Sequence, residues 1–163
     1  MNDAHLHMIV NHFPIIGLFF GIAILVFGIF KKNPLVLNIA YVIFIFCMIM
    51  GQISMFTGEN AEDIVENLGI SHDLIHEHEE LAEAFMKVMY FLGLASILGL
   101  FANSKKHSKA SVLSYLILII SVVAVLLSKS VGTSGGEIRH TEIRSDASNT
   151  STKSNLETHE IED

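Results

Sequence analysis

Four long apolar segments constrain the fold of this chain more than any other feature of its sequence. They run from about 13 to 30, 36 to 56, 81 to 102 and 112 to 127. A helix needs about 20 mostly apolar residues to cross the roughly 30 Å hydrocarbon core, because each residue adds about 1.5 Å. Since 51% of the 163 residues are hydrophobic, we predict an all-α integral membrane four-helix bundle that contacts lipid.

The charges between the segments predict the orientation of the bundle. Five lysines occupy the two loops that join the first segment to the second and the third to the fourth: Lys31, Lys32, Lys105, Lys106 and Lys109. The positive-inside rule places these loops in the cytoplasm. We therefore expect a multi-pass protein of the cell inner membrane, with both termini and all 17 acidic residues on the periplasmic or extracellular side. The net charge of -7 argues against nucleic acid as a partner.

The regions outside the segments predict three further features. Ser71 is a suitable N-cap, and residues 72–103 contain no proline, so the third helix should project beyond the hydrocarbon. Residues 59–67 predict a short interfacial helix capped by Gly69. Residues 145–163 are polar and rich in Ser and Thr, which predicts a disordered tail after a domain of residues 1–144.

Seven of the nine histidines gather at one face of the membrane in this topology. They precede the first segment, begin the third helix or follow the fourth: His5, His7, His12, His72, His76, His78 and His140. Imidazole is a common ligand of zinc, copper and iron, and haem iron takes two imidazoles from facing elements. A solvated interfacial position explains any one of these histidines, but the whole set favours a bound metal or haem.

Helical spacing selects among the histidines of the third helix. His72, His76, Glu79 and Glu83 follow steps of 4, 3 and 4 residues, so they share one stripe. His78 points away from that stripe. We therefore favour His76 in this helix as the cofactor ligand.

His12 is the favoured histidine at the start of the first helix. It lies two residues before Pro14, so it stands either just ahead of a helix that begins at the proline or at a proline kink. In both cases the imidazole can turn inward. We predict that His12 and His76 ligate the cofactor, with His7 and His140 in support or at a second centre.

The metal-binding alternative draws on a wider set of ligands. Its candidate histidines are His5, His7, His12, His72, His76 and His140. Carboxylates of Glu59, Glu62 or Glu83 complete such a copper or zinc site.

Polar and small residues inside the segments predict helix contacts. Lys87 lies four residues after Glu83, so an ion pair would lower the cost of its charge at that depth. Asn38, Gln52 and Ser54 are expected to form hydrogen bonds between helices. Close packing is expected at Gly17, Gly21, Gly28, Gly93 and Gly99.

Several short motifs resemble a known family. They are His7, then His12-Phe13-Pro14-Ile15, and the late Gly135-Gly136-Glu137-Ile138 followed by His140. Together they resemble an uncharacterised bacterial and archaeal family of predicted four-helix membrane proteins, whose pattern has Leu-His-Pro, His-Phe-Pro and Gly-Gly-Glu-Leu before Arg and His. Met8 stands where that pattern has proline, and His140 follows Gly-Gly-Glu two residues early. Members joined to cytochrome or Rieske-type domains imply an electron-transfer role.

The leading hypothesis is a membrane redox module that holds b-type haem near the outer face. It would pass electrons between quinol, or a larger membrane complex, and a periplasmic cytochrome. The single Cys47 excludes the Cys-x-x-Cys-His motif of covalent haem attachment. The alternatives are a copper or zinc protein and a non-catalytic accessory subunit, and whether the chain is an enzyme stays open. A zinc hydrolase ranks last because no His-Glu-x-x-His motif is present.

Overall fold

The computed structural model describes residues 2–140 and 143–144, and this part of the chain is helical without a strand. The helices are α1 Asp3–Val10, α2 His12–Lys31, α3 Pro34–Glu59, α4 Glu62–Glu66, α5 His72–Ser104 and α6 Ala110–Arg139. Four helical stretches among the described residues are long and apolar enough to cross a membrane, with α1 and α2 counted as one. The predicted all-α architecture, with four helices capable of crossing a membrane, is therefore confirmed. The predicted tail lies outside the described residues.

The junction between α1 and α2 is a kink. Asn11 separates the two helices but keeps helical backbone angles, with φ -64° and ψ -22°. Pro14 has no N–H to donate to the carbonyl of Val10, and its ring crowds that carbonyl, which explains the interruption at this point. Of the two positions considered for His12, the structure has the proline kink.

The four spans form a ring in which each helix packs against two others. The contacting pairs are α2 with α3, α3 with α5, α5 with α6, and α6 with α2. Short connections make successive spans antiparallel, so the bundle has two distinct ends. We call the end with the turns at 32–33 and 105–109 the lysine end, and the opposite end, with α1 and α4, the histidine end.

The bundle is filled by large apolar side chains and exposes others on its outside. Leu18, Tyr41, Phe44, Met89 and Ile117 are fully buried. Large side chains such as those of α2 and α6 cover the outer surface, which is the reverse of the pattern in water-soluble proteins. This surface suits contact with lipid.

Small residues bring the helices together as predicted. A Cβ atom on Gly21 would collide with the Phe44 ring, and one on Gly28 would lie 3.0 Å from the backbone nitrogen of Leu37. Gly17, Gly93 and Gly99 are equally tight against neighbouring side chains. The Asn103 amide nitrogen donates to the Asn38 side-chain oxygen at 2.9 Å, which confirms one of the expected polar contacts.

Both ends of the bundle carry the expected turn chemistry. Asn33 caps α3 by accepting from the Leu35 nitrogen at 3.0 Å. A helix is present in the predicted region 59–67, but it is only the five-residue α4, because Glu59 still belongs to α3. Gly69 follows α4 with a φ of 85°. Ser71 is the N-cap residue of α5, although its side chain forms no capping hydrogen bond.

The fourth helix is longer than its apolar segment. α6 continues from residue 127 to Arg139, through Gly132, Gly135 and Gly136, which are poor helix formers. Packing against the first turns of α5 compensates for this low propensity, since Ser134 and Gly135 both touch His78. This extension brings the Gly-Gly-Glu motif to the histidine end.

Candidate functional site

A cavity of about 690 Å³ opens at the histidine end, between α1, the end of α3, α4, the start of α5 and the end of α6. We call it the histidine cavity. Its charged and hydrogen-bonding side chains include two imidazoles, four carboxylates, two cations and an amide facing a phenol: His7, His78, Glu59, Glu62, Glu79, Glu83, Lys87, Arg139, Gln52 and Tyr90. Methionine and other apolar side chains supply the remaining walls.

His7 enters the cavity from α1 and is held by α3. Its ring is half-buried, and its Nδ1 lies 2.9 Å from the carbonyl oxygen of Ser54. Because a carbonyl only accepts, Nδ1 carries the proton and donates it. The ring rests against Gly58, where a Cβ atom would come within 3.0 Å of Cε1. In the neutral ring the Nε2 lone pair is therefore left for a ligand.

His78 enters from α5 and is held by α6 in a similar way. Its half-buried ring places Nδ1 2.8 Å from the Ser134 hydroxyl oxygen. That hydroxyl donates to the Val131 carbonyl at 3.2 Å, so it accepts from Nδ1–H of His78. Gly135 lies against the ring, and a Cβ atom there would be 3.0 Å from Cε1. His78 thus also keeps the lone pair of Nε2 available.

The buried stripes of the helices explain why these two histidines point inward. On α1 and α2 the buried positions are Val10, Pro14, Leu18, Gly21, Leu25 and Gly28. His7 extends this series by one more step of three residues towards the N-terminus. On α5, His78 lies three residues after Ile75 and seven before Phe85, both of which are buried. Each histidine therefore continues the core-facing stripe of its helix.

The carboxylates give the lining of the cavity a net negative charge. Four carboxylates face two cations across its lining, a formal charge of -2 while the histidines are neutral. The Lys87 ammonium lies 3.2 Å from a carboxylate oxygen of Glu83, which confirms the predicted ion pair. The Tyr90 hydroxyl donates to the side-chain oxygen of Gln52, which joins α5 to α3.

The sequence-predicted pair, His12 and His76, is not brought together. His12 is exposed on α2, and its Nδ1 donates to the Met8 carbonyl at 3.0 Å. The His76 side chain is 62% exposed, with its Nε2 3.6 Å from a carboxylate oxygen of Glu80. Neither residue lines the histidine cavity.

The other predicted histidines lie outside the cavity. His5 is exposed on α1, and His140 is exposed at the C-cap of α6. His72 is exposed and stacks on His76, with ring centroids 6.1 Å apart. His72 Nδ1 also lies 2.8 Å from Glu66 and 3.6 Å from Glu62.

The trio of His72, Glu62 and Glu66 offers ligand atoms within 4.8 Å of one another. Glu66 and His72 are exposed and Glu62 is partly buried at the edge of the histidine cavity, and exposed acidic groups are common without a metal ion. The half-buried rings of the cavity are better protected from competing water. We therefore place the candidate site at His7 and His78.

The sequence pattern did not point to His78, because His76 was preferred for sharing one helix face with His72 and two carboxylates. The signal for His78 was its register with the apolar residues of the same helix. His7 was included as a supporting ligand, and it also lies on an apolar register. Among the motifs that carry the family resemblance, His7, Gly135 and Ile138 line the cavity, whereas His12 and His140 do not.

Comparisons with family models, curated proteins and solved structures found no match to this chain. The four long apolar helices agree with the architecture of the family that the motifs resemble. The function is therefore argued from the histidine cavity itself.

Proposed function

We propose that this chain is a membrane redox module that binds b-type haem through His7 and His78. One observation carries the proposal: two half-buried imidazoles, one from α1 and one from α5, line one cavity, and each has its Nδ1 hydrogen-bonded to the protein. In this arrangement the Nε2 atom of each ring would be available to bind the haem iron. The pair replaces His12 and His76 as the proposed ligands.

The size and lining of the cavity support a haem-sized group. A volume of about 690 Å³ lies within the roughly 300–1,000 Å³ of typical small-ligand sites, and a single ion needs far less. Apolar walls including Met8, Met55 and Met86 suit a porphyrin, while Lys87 and Arg139 offer cations for its propionates. With Cys47 as the single cysteine, the haem would be bound without a thioether link.

The proposed role is electron transfer at the membrane surface. Haem iron supplies one-electron chemistry, and the protein sets its potential through ligands and surroundings. We propose quinol or a larger membrane complex on one side of this exchange and a periplasmic acceptor on the other.

Copper or zinc is the second candidate, and the charge of the cavity favours it. Haem with two propionates adds negative charge to a lining that already carries more carboxylates than cations. A divalent cation would instead balance this excess. Its ligands would be His7 and His78 with Glu79 or Glu83. These side chains would have to move closer together around the ion, because their ligand atoms do not all lie within 4.8 Å of one another.

Visible spectroscopy of detergent-purified protein separates the two candidates. We expect a Soret band in the oxidised sample and a sharp α-band after dithionite reduction. The expected stoichiometry is one haem for the His7 and His78 pair of each chain. A colourless sample with stoichiometric copper or zinc would move the metal site to first place. A sample with neither haem nor metal, after supplementation during expression, would overturn both.

The orientation of the bundle is a separate proposal. We propose that the lysine end faces the cytoplasm and the histidine end the periplasm or cell exterior, because all five loop lysines lie at the first end and the carboxylate-rich α4 at the second. In a Cys47→Ala background, a membrane-impermeant maleimide added to spheroplasts should label Asn67→Cys but not Lys106→Cys. Both positions are exposed, so the opposite labelling pattern would reverse the orientation.

A further inference from the structure

A second cavity lies at the lysine end, away from the histidine cavity. It has a volume of about 430 Å³ and opens between α5 and α6. Its lining consists of apolar side chains and three basic ones: Phe101, Ala102, Val112, Leu113 and Leu116, with Lys105, His107 and Lys109. Phe101, Val112 and Leu116 are exposed on the outer, lipid-facing surface of the bundle.

The basic residues are concentrated at one edge of this groove, in the turn between α5 and α6. His107 and Lys109 belong to the turn itself, where the Lys109 backbone nitrogen donates to His107 Nδ1 at 3.1 Å. Lys105 is the C-cap residue of α5, and its ammonium lies 5.8 Å from the centroid of the Phe101 ring. No acidic residue occurs between 84 and 136, so nothing in either helix near this turn neutralises the lysines.

The start of α6 adds to the attraction for an anion. α6 begins at Ala110, whose N–H donates to the His107 carbonyl at 3.0 Å. The N-cap residue Lys109 provides no side-chain capping bond, so the N–H groups of Ser111 and Val112 are the ones that an anion can use. The first N–H groups of a helix carry a partial positive charge and bind phosphate readily when a side chain does not cap them. Here that helix end, two lysines and an apolar groove coincide.

We propose that this groove binds one anionic phospholipid. Its phosphate would lie at the start of α6 beside Lys105 and Lys109, and an acyl chain would run along Phe101, Val112 and Leu116. Charge complementarity selects the anionic headgroup, and the apolar wall selects a lipid over a free anion. The site is independent of the proposed redox function.

Native mass spectrometry of the purified full chain tests this proposal. Phosphatidylglycerol and phosphatidylcholine with identical acyl chains are titrated against the protein. We expect phosphatidylglycerol to bind preferentially, with an excess of inorganic phosphate failing to displace it. Equal binding of the two lipids, or displacement by phosphate, would overturn the proposal.

A matched pair of double variants locates the lipid. Lys105→Gln with Lys109→Gln should weaken phosphatidylglycerol binding about 30-fold, roughly five-fold for each lysine. Lys31→Gln with Lys32→Gln removes the same charge from the other turn at this end and should change binding less than about three-fold. Equal losses in the two variants would show that anionic lipid is attracted to the lysine end in general, and would overturn the proposal that it binds in the groove.

A third variant distinguishes the contribution of the apolar wall to lipid binding from that of the lysines. Ala102→Phe fills part of the apolar wall and leaves every lysine in place. We expect it to lower phosphatidylglycerol binding about as strongly as the charge variant does. Unchanged binding would mean that the acyl chain does not occupy the groove, and the proposal would fail.

Discussion

Replacing His78 with alanine is expected to remove the bound haem or metal from the protein. Loss of a side chain that merely orients a ligand typically costs 10- to 100-fold in metal affinity, so loss of the ligand itself should cost at least about 100-fold. The same result is expected for His7→Ala, because the two imidazoles line one cavity. The measurement is the Soret absorbance and metal content per chain of each purified variant.

His12→Ala and His76→Ala are the matched controls for this experiment. Each removes one exposed imidazole from the same two helical stretches, and each should retain the bound group. Circular dichroism and gel filtration show whether the His7 and His78 variants keep the fold. Retention of the group in those two variants, with its loss from the controls, would restore the original pair of ligands.

Gly21→Ala is expected to destabilise the bundle by about 1–3 kcal/mol, the usual cost of overpacking a filled core. The added methyl group would collide with the Phe44 ring, which is fully buried. The helices α2 and α3 would have to separate. The free energy of unfolding in detergent, measured by denaturant titration, reports the effect.

Gly132→Ala is the matched control, and we expect it to raise stability instead of lowering it. Gly132 is exposed on α6, and a Cβ atom there meets no other atom within 4 Å. Alanine should therefore raise helix stability, by up to about 1 kcal/mol. Equal changes in the two variants would show that the contact between α2 and α3 is not the reason for glycine at position 21.

The architecture was predictable because a bilayer imposes a simple rule on length and polarity. Four apolar segments, a long third helix and the Glu83–Lys87 pair follow from spacing and composition along the chain, and the structure confirms each of them. Residues 128–139 were harder, since three glycines argue against a helix there. Their helical form depends on packing against α5, which local sequence does not reveal.

The candidate site was predictable in part. The sequence placed the candidate ligands at this end of the bundle, and imidazoles of α1 and α5 do line the cavity there. The choice within α5 depended on which face of that helix packs inward. Ile75 and Phe85 mark that face, and His78 shares it with them, whereas His76 does not.

The helix α5 is longer than a membrane-spanning helix needs to be. Its 33 residues extend about 50 Å, whereas the hydrocarbon layer is roughly 30 Å thick. Its apolar segment ends near residue 102, close to the C-terminus of the helix, so most of the surplus forms a stalk at the other end. We expect this stalk to bring the mouth of the histidine cavity to the level of the lipid headgroups. A water-soluble protein or chelator would then reach the cavity by surface collision, without a pore through the bilayer.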